Sequence, residues 1–360
     1  MALTLDAVMS ALRSIQDPDL KKDVLTLGMV RDLKIDGDAV SLRLAMPTPM
    51  RPVLPVVQNG VRDALARIGA KHVEMKIDST VPDKGRPAPA KKGVPGVKHI
   101  IAVSSGKGGV GKSTVAANLA TALAQMGSKV GLLDSDVYGP NIPTMMGITD
   151  LPSARQEEGR GELIIPLEAY GVKVMSMGFL TKGDQPLVWR GPMLHSVVNQ
   201  FLMNVDWGTL DYLVVDMPPG TGDVQLSLTQ VVSVSGAVVV TTPQEVSLQD
   251  VRKAILMFEK VGVPILGIVE NMSYFVCDSC DKKHDIFGTG GGQRLADKFR
   301  TPLLAQLPLA AQVREAGDAG APIVVREPSS VQAKAFLELA RSVEKSLSTA
   351  STASIEIDQF

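Results

Sequence analysis

The chain has 360 residues, enough for two or three domains, and its 45% hydrophobic and 21% charged content is that of a globular protein rather than a disordered or fibrous one. A net charge of −1, from 37 basic and 38 acidic residues, leaves no cationic field, so neither nucleic acid nor membrane is an expected partner. The two cysteines, spaced C-x-x-C, cannot build a disulfide framework and suit a reducing compartment. With no basic, apolar leader from Met1 and no run of about 18 apolar residues, a cytoplasmic location is expected.

Leu5, Val8, Met9, Leu12 and Ile15 fall at helical spacing, and Asp17-Pro18 should stop that helix. Met29 to Ile35 and Ala39 to Ala45 alternate around Asp36-Gly37-Asp38 and predict a hairpin. A helix from Val53 to Ile68 and a strand from Val73 to Ile77 complete a small α/β domain, residues 1–81. Residues 82–98 carry Pro82, Pro87, Pro89 and Pro95 among glycines and lysines and read as a linker.

Residues 99–347 have another rhythm. Near-continuous apolar strands at Ile100–Ser104, Val130–Leu133, Val172–Met177, Tyr212–Val215, Ala237–Thr241 and Ile265–Val269 are mostly separated by helices, at Lys112–Met126, Pro192–Asn204, Val224–Val232 and Leu248–Val261. Strands buried on both faces with helical crossovers predict an α/β fold, a doubly wound and mainly parallel sheet. Ligands of such a sheet sit at the carboxyl ends of its strands. A last helix, Val331–Leu347, leads to a Ser/Thr-rich tail, residues 348–360, expected to be disordered.

After the first of these strands comes Gly106-Lys107-Gly108-Gly109-Val110-Gly111-Lys112-Ser113-Thr114, a match to G-x-x-x-x-G-K-[ST] in a strand–loop–helix context. The glycines let backbone N–H groups close around phosphate oxygens, and the helix adds its positive end. Lys112 is expected on the β- and γ-phosphates of a nucleotide and the Ser113 hydroxyl on Mg²⁺. The strand ending in Asp134-Ser135-Asp136 sets two carboxylates on one side. The strand ending in Asp216, before Met217-Pro218-Pro219-Gly220-Thr221-Gly222-Asp223, has the form of a Mg²⁺-holding aspartate followed by a flexible sensor; Asp223 reads equally well as a helix N-cap.

Lys107 within the loop gives a specific resemblance, to the deviant phosphate loop of the MinD/ParA/ArsA/nitrogenase-iron-protein class. That likeness implies a homodimer in which Lys107 reaches the partner's phosphates, with Asp136 positioning the attacking water and Asp134 a Mg²⁺ or structural partner. It also implies adenine contacts from Asn271, after the strand Ile265–Val269, and from the stretch between Leu307 and Pro322.

Cys277 and Cys280 lie among Asp278, Asp281, Lys282 and Lys283, which argues against burial as ordinary core thiols. Zinc, a redox dithiol and an iron–sulfur cluster all use this spacing, but a metal centre generally wants four ligands and one chain supplies two. Two chains related by a two-fold axis make four, which suggests a 4Fe–4S cluster bridging protomers. His284, close by, reads as a surface residue. The phosphate loop, LLDSDVYGPNIP, DMPPGTGD, ENMSYFVCDSC and LPLAAQVREAGDAG, spanning roughly residues 97–345, together resemble the Mrp/ApbC family of ATPases that carry iron–sulfur clusters. The resemblance implies slow ATP hydrolysis and transfer of a labile cluster to apo iron–sulfur proteins. Residues 1–81, with Asp17-Pro18-Asp19 and Leu27-Gly28-Met29-Val30, resemble the iron–sulfur-assembly domain fused to bacterial members. The Thr48-Pro49-Met50-Arg51-Pro52 turn lacks the cysteine often found there, which leaves docking of partners, assembly scaffolds among them, as that domain's expected use. The main rival is a dimeric MinD/ParA-like switch ATPase with a structural zinc clasp. A nucleotide-braced scaffold and a one-electron reductase fit less well.

Overall fold

The computed structural model describes residues 3–16, 23–26, 29–46, 54–79, 93–157, 161–180, 191–220, 222, 225, 228–229, 231–277 and 279–357. It divides into two compact units, Met1–Ala90 and Lys91–Phe360.

In the first unit, α1 (Leu5–Arg13) is capped by Thr4, whose hydroxyl accepts from the Ala7 N–H at 3.3 Å. Strands β1 (Val30–Asp36) and β2 (Ala39–Met46) form the expected antiparallel hairpin. Helix α2 (Leu54–Arg67) then crosses over so that β3 (His72–Ser79) pairs parallel to β2. Val8 and Leu12 of α1 and Val57, Val61 and Leu65 of α2 share a core with Val40, Leu42 and Leu44 of β2. The turns at residues 17–19, 27–28 and 48–52 lie outside the described residues, as does most of the expected linker; its last two residues, Val97 and Lys98, belong to a strand instead.

In the second unit, the strands, in chain order, are β4 (Val97–Ser105), β5 (Val130–Asp134), β6 (Ser153–Glu157), β7 (Gly161–Ile165), β8 (Leu167–Ala169), β9 (Val172–Ser176), β10 (Leu210–Asp216), β11 (Gly236–Thr241), β12 (Ile265–Val276), β13 (Lys283–His284) and β14 (Leu303–Leu309). Helices are α3 (Lys112–Gln125), α4 (Ile142–Met145), α5 (Gly191–Met203), α6 (Glu245–Lys260), α7 (Gly291–Phe299), α8 (Ala311–Asp318), α9 (Ile323–Arg326) and α10 (Val331–Ile357). The main sheet runs β13-β12-β11-β4-β10-β5-β9-β8, with β14 also on β12. Only β8 and β13, at its ends, pair antiparallel; β6 and β7 form a separate hairpin.

The central strands bury both faces in strict alternation. Ile101 and Val103 of β4 face the core made with α3 and α10, while Ile100 and Ala102 face the core made with α5 and α6. This is the doubly wound sheet the apolar runs predict. Two boundaries differ. Strand β12 continues seven residues past Val269, to Val276. The final helix runs on to Ile357 through most of the expected disordered tail; no proline or glycine interrupts it, and the Ser348 and Thr349 hydroxyls bond back to the carbonyls of Glu344 and Lys345 at 3.0 and 3.1 Å. The helix expected at Val224–Val232 is largely outside the described residues, although 225, 228–229 and 231 are helical. No helix among the described residues is long and apolar enough to cross a membrane.

Trp207 fixes the second core, 1% exposed, with its indole N–H donating to the Phe201 carbonyl at 3.1 Å. Trp207→Ala is expected to lower the unfolding free energy of the second unit by about 3–5 kcal/mol in urea titration; a loss under about 1 kcal/mol would contradict this packing.

Candidate functional site

Parallel pairing sets the strand ends level. Asp216, last in β10, lies opposite Asp134 of β5 and Val103 of β4, and Asp134 lies opposite Ser176 of β9. The glycine loop leaves β4 at this edge and α3 begins at Lys112. Lys112 is only 6% exposed; its ammonium donates to Asp216 Oδ1 at 2.6 Å and to Ser113 Oγ at 3.2 Å, and lies 3.7 Å from Asp136 Oδ2. The Ser113 hydroxyl donates to Asp216 Oδ2 at 2.5 Å. Full burial raises the Asp216 pKa, and the Lys112 charge works against that rise.

The three residues of Asp134-Ser135-Asp136 divide the work. Asp134 is fully buried, accepting from the Asp136 N–H at 3.1 Å, the Ser176 hydroxyl at 2.8 Å and the Ile142 N–H at the start of α4 at 3.3 Å. Burial and the neighbouring Asp216 push its pKa up to about 7, against those three donors. Both of its oxygens are engaged by protein donors. Ser135 pins the segment to β10, its N–H and hydroxyl both donating to the Asp216 carbonyl. Asp136 Oδ1 accepts the N–H groups of Tyr138 and Gly139 at 3.2 and 3.3 Å, an Asx turn that leaves Oδ2 toward Lys112. Ser176 was not legible as a partner, because only its place at the end of the strand next to β5 marks it.

Asn271 is not beyond the strand, as its sequence position suggested, but inside β12. Its amide donates to the Val110 carbonyl at 2.9 Å, closing on the phosphate loop from the side. Gly111 has φ +81°, and a Cβ there would stand 2.2 Å from Asn271 Nδ2, so the loop can approach the strand only because residue 111 has no side chain. A cavity of 300 Å³ opens here, lined by Gly111 and Thr114 on one side and Asn271, Pro308, Leu309 and Arg314 on the other. The two regions assigned to the base from resemblance thus meet in one cavity beside the loop. Met272, with φ +52°, also lines it and carried no sequence signal. Lys107 is half-buried, and its side chain makes no ion pair among the described residues; Thr221 and Asp223 lie outside them.

The cysteines occupy the turn between β12 and β13. Cys277 follows Val276 directly and is partly exposed, Cys280 is exposed, and no disulfide joins them. The turn is held by the Cys277 N–H donating to the Lys282 carbonyl at 3.0 Å and the Asp281 N–H donating to the Cys277 carbonyl at 2.9 Å. Lys283 stacks its ammonium 4.0 Å above the Tyr274 ring, beside the turn. His284 is exposed. Among the described residues no group of three or more His, Cys, Asp or Glu side chains is arranged to hold a metal ion.

Residues 96–344 match the family model described as NUBPL iron-transfer P-loop NTPase, and residues 5–76 match the model of iron–sulfur cluster assembly proteins. The chain is 49% identical over 350 residues to the iron–sulfur cluster carrier protein of Synechocystis sp., covering 97% of this chain and 99% of that one. It is 47% identical to the protein of that name from Deinococcus radiodurans, over 95% of each chain. Among solved structures it is similar to a nucleotide-binding protein from Archaeoglobus fulgidus in complex with ADP (38% identity, TM-score 0.57, 67% of this chain and 92% of that one). It is also similar to the cell division ATPase MinD of Pyrococcus furiosus (28% identity, TM-score 0.52, 69% and 98%).

Gly111→Ala forces a side chain into Asn271 at a backbone angle that disfavours it. Calorimetric titration with ADP is expected to show affinity reduced at least about tenfold, while unchanged affinity would mean that the loop and the strand need not meet.

Proposed function

The chain belongs to the iron-transfer P-loop NTPase family, and from that premise we propose that it is an ATP-hydrolysing carrier that binds a 4Fe–4S cluster between two protomers and delivers it to apo iron–sulfur proteins. The observation that carries this reading is the pair Cys277 and Cys280 on an exposed turn of one chain: two thiolates, half of the set that a cluster of this kind takes. A two-fold axis supplies the other half. The cluster is cargo, so an exposed turn, from which an acceptor can take it, suits the task.

For the nucleotide, Gly106, Lys107, Gly108, Gly109, Val110 and Gly111 wrap the phosphates, with Lys112, Ser113 and Thr114 at the start of α3. The part-buried contact between Ser113 and Asp216 fits a Mg²⁺ site: a hydroxyl and a carboxylate face one another beside Lys112, with Asp134 on the adjacent strand. Mg²⁺ there neutralises phosphate charge. Lys112 would pair with phosphate oxygens in place of Asp216, leaving the Asp216 carboxylate and the Ser113 hydroxyl to hold Mg²⁺. Asp136, fixed by its Asx turn at the rim, orients the attacking water. Lys107 turns its charge outward to the partner's phosphates. Asn271 and the Pro308–Arg314 side of the cavity receive the adenine. Hydrolysis is slow, and it changes how firmly the cluster is held, because β12 carries both Asn271 and the cysteine turn.

Residues 1–81, joined through the 82–98 segment to the ATPase body, dock acceptors or assembly scaffolds; they contain no cysteine and so hold no cluster by thiolate. A reducing, cytoplasmic setting suits a C-x-x-C pair whose cysteines are not joined by a disulfide.

Anaerobic reconstitution is expected to give about two iron and two sulfide per chain, in a dimer, with both lost in Cys277→Ser and ADP binding retained. A monomer that keeps its iron would overturn the bridging arrangement, and about half a zinc per chain without sulfide would favour the switch ATPase with a zinc clasp. Lys107→Ala is expected to keep ADP affinity and lose at least about a hundredfold in turnover. Turnover within twofold of wild type would remove Lys107 from the reaction.

A further inference from the structure

Glu270 is fully buried, and none of the chemistry above uses it. Its Oε1 accepts from the Ser273 hydroxyl at 2.6 Å and from Gln306 Nε2 of β14 at 2.9 Å; its Oε2 accepts from the Gly292 N–H at 2.5 Å. The last of these lies in the first turn of α7, where the helix end favours negative charge. Residue 292 must lack a side chain for this, since a Cβ there would stand 2.9 Å from the Glu270 Cβ. An apolar residue would fill the site without the desolvation a carboxylate suffers, so packing alone does not account for Glu270.

What the carboxylate clamps is an irregularity in β12. Between Glu270 and Tyr274 the register against β14 slips, and Met272 takes the left-handed conformation, φ +52°. Such a conformation in a residue with a long side chain persists only where its surroundings enforce it. The Ser273–Glu270 bond spans the bulge, and the Gln306 and Gly292 bonds tie it to β14 and α7. Inside the bulge, Asn271 is bonded to the phosphate loop and Met272 lines the cavity; beyond it, the strand runs into Cys277.

We propose that Glu270 is a positioning residue that locks the β12 bulge in the one register that sets Asn271 against the phosphate loop and aims the Cys277–Cys280 turn, so that it transmits nucleotide state to the cargo. The proposal rests on the carrier reading above. Its test compares full-length wild type, Glu270→Gln and Ser273→Ala, all reconstituted with cluster. Glutamine keeps the shape and one acceptor for Gly292, while Ser273→Ala removes only the bond across the bulge.

The readouts are ADP affinity and the ratio of cluster-transfer rates to an apo-ferredoxin with Mg-ATP and with ADP. Glu270→Gln is expected to bind the same amount of cluster, to weaken ADP binding about tenfold, and to bring the rate ratio close to one; Ser273→Ala shifts both the same way by less. Unchanged affinity and ratio in a folded Glu270→Gln, or a drop in thermal midpoint alone, would overturn the proposal. Should Glu270→Gln fail to fold, wild-type behaviour of Ser273→Ala has the same force. Wild type that holds no cluster at Cys277 and Cys280 fails the carrier reading instead, and the ADP arm then decides whether Glu270 sets Asn271.

Discussion

One buried ion pair organises the nucleotide end of the molecule. An ammonium as enclosed as that of Lys112 persists only beside a carboxylate and other polar partners. Asp216 can serve because β10 ends level with the start of α3, and that level is set by the parallel ladders from β4 through β10 to β5. The same register brings Asp134 beside Asp216, two carboxylates that repel, and the donors Ser176, Ile142 and the Asp136 N–H absorb the cost. The bend of the following segment, the Asx turn of Asp136 and the start of α4 are thus consequences of where one lysine sits.

The central sheet was readable in the sequence because strands covered on both faces need apolar residues at every position, and few other elements do. The phosphate loop and the two acidic strand ends were readable because their glycines and carboxylates interrupt those runs at fixed offsets. The end of β12 was not. Glu270, Asn271 and Ser273 look like the polar residues that close a strand, yet each has a partner inside the protein, so the ladder continues. The cavity was equally hidden in one dimension, since its walls come from segments more than a hundred residues apart and only resemblance joined them.

Two further features that the sequence does not mark have a common origin. The Ser/Thr-rich end of the last helix has the composition of a solvated tail, but hydroxyls that bond to carbonyls four residues back satisfy themselves without leaving the helix. The β6–β7 hairpin escaped notice because β6 is almost wholly exposed and carries no alternation. Composition reports what a segment can bury, and β6 and the end of the last helix are held by hydrogen bonds rather than burial.

The length of β12 has a mechanical meaning. From Asn271 to Cys277 the strand runs six residue steps, at most about 20 Å if fully extended. In the proposed carrier the strand between the phosphate loop and the cysteine turn acts as a lever. A tilt of about 10° at Met272 would move the far end, at most about 16 Å away, by roughly 3 Å. In the proposed two-fold carrier both ends would swing together, and the separation of the two cysteine pairs would change by up to twice that, more than an iron–thiolate bond can follow.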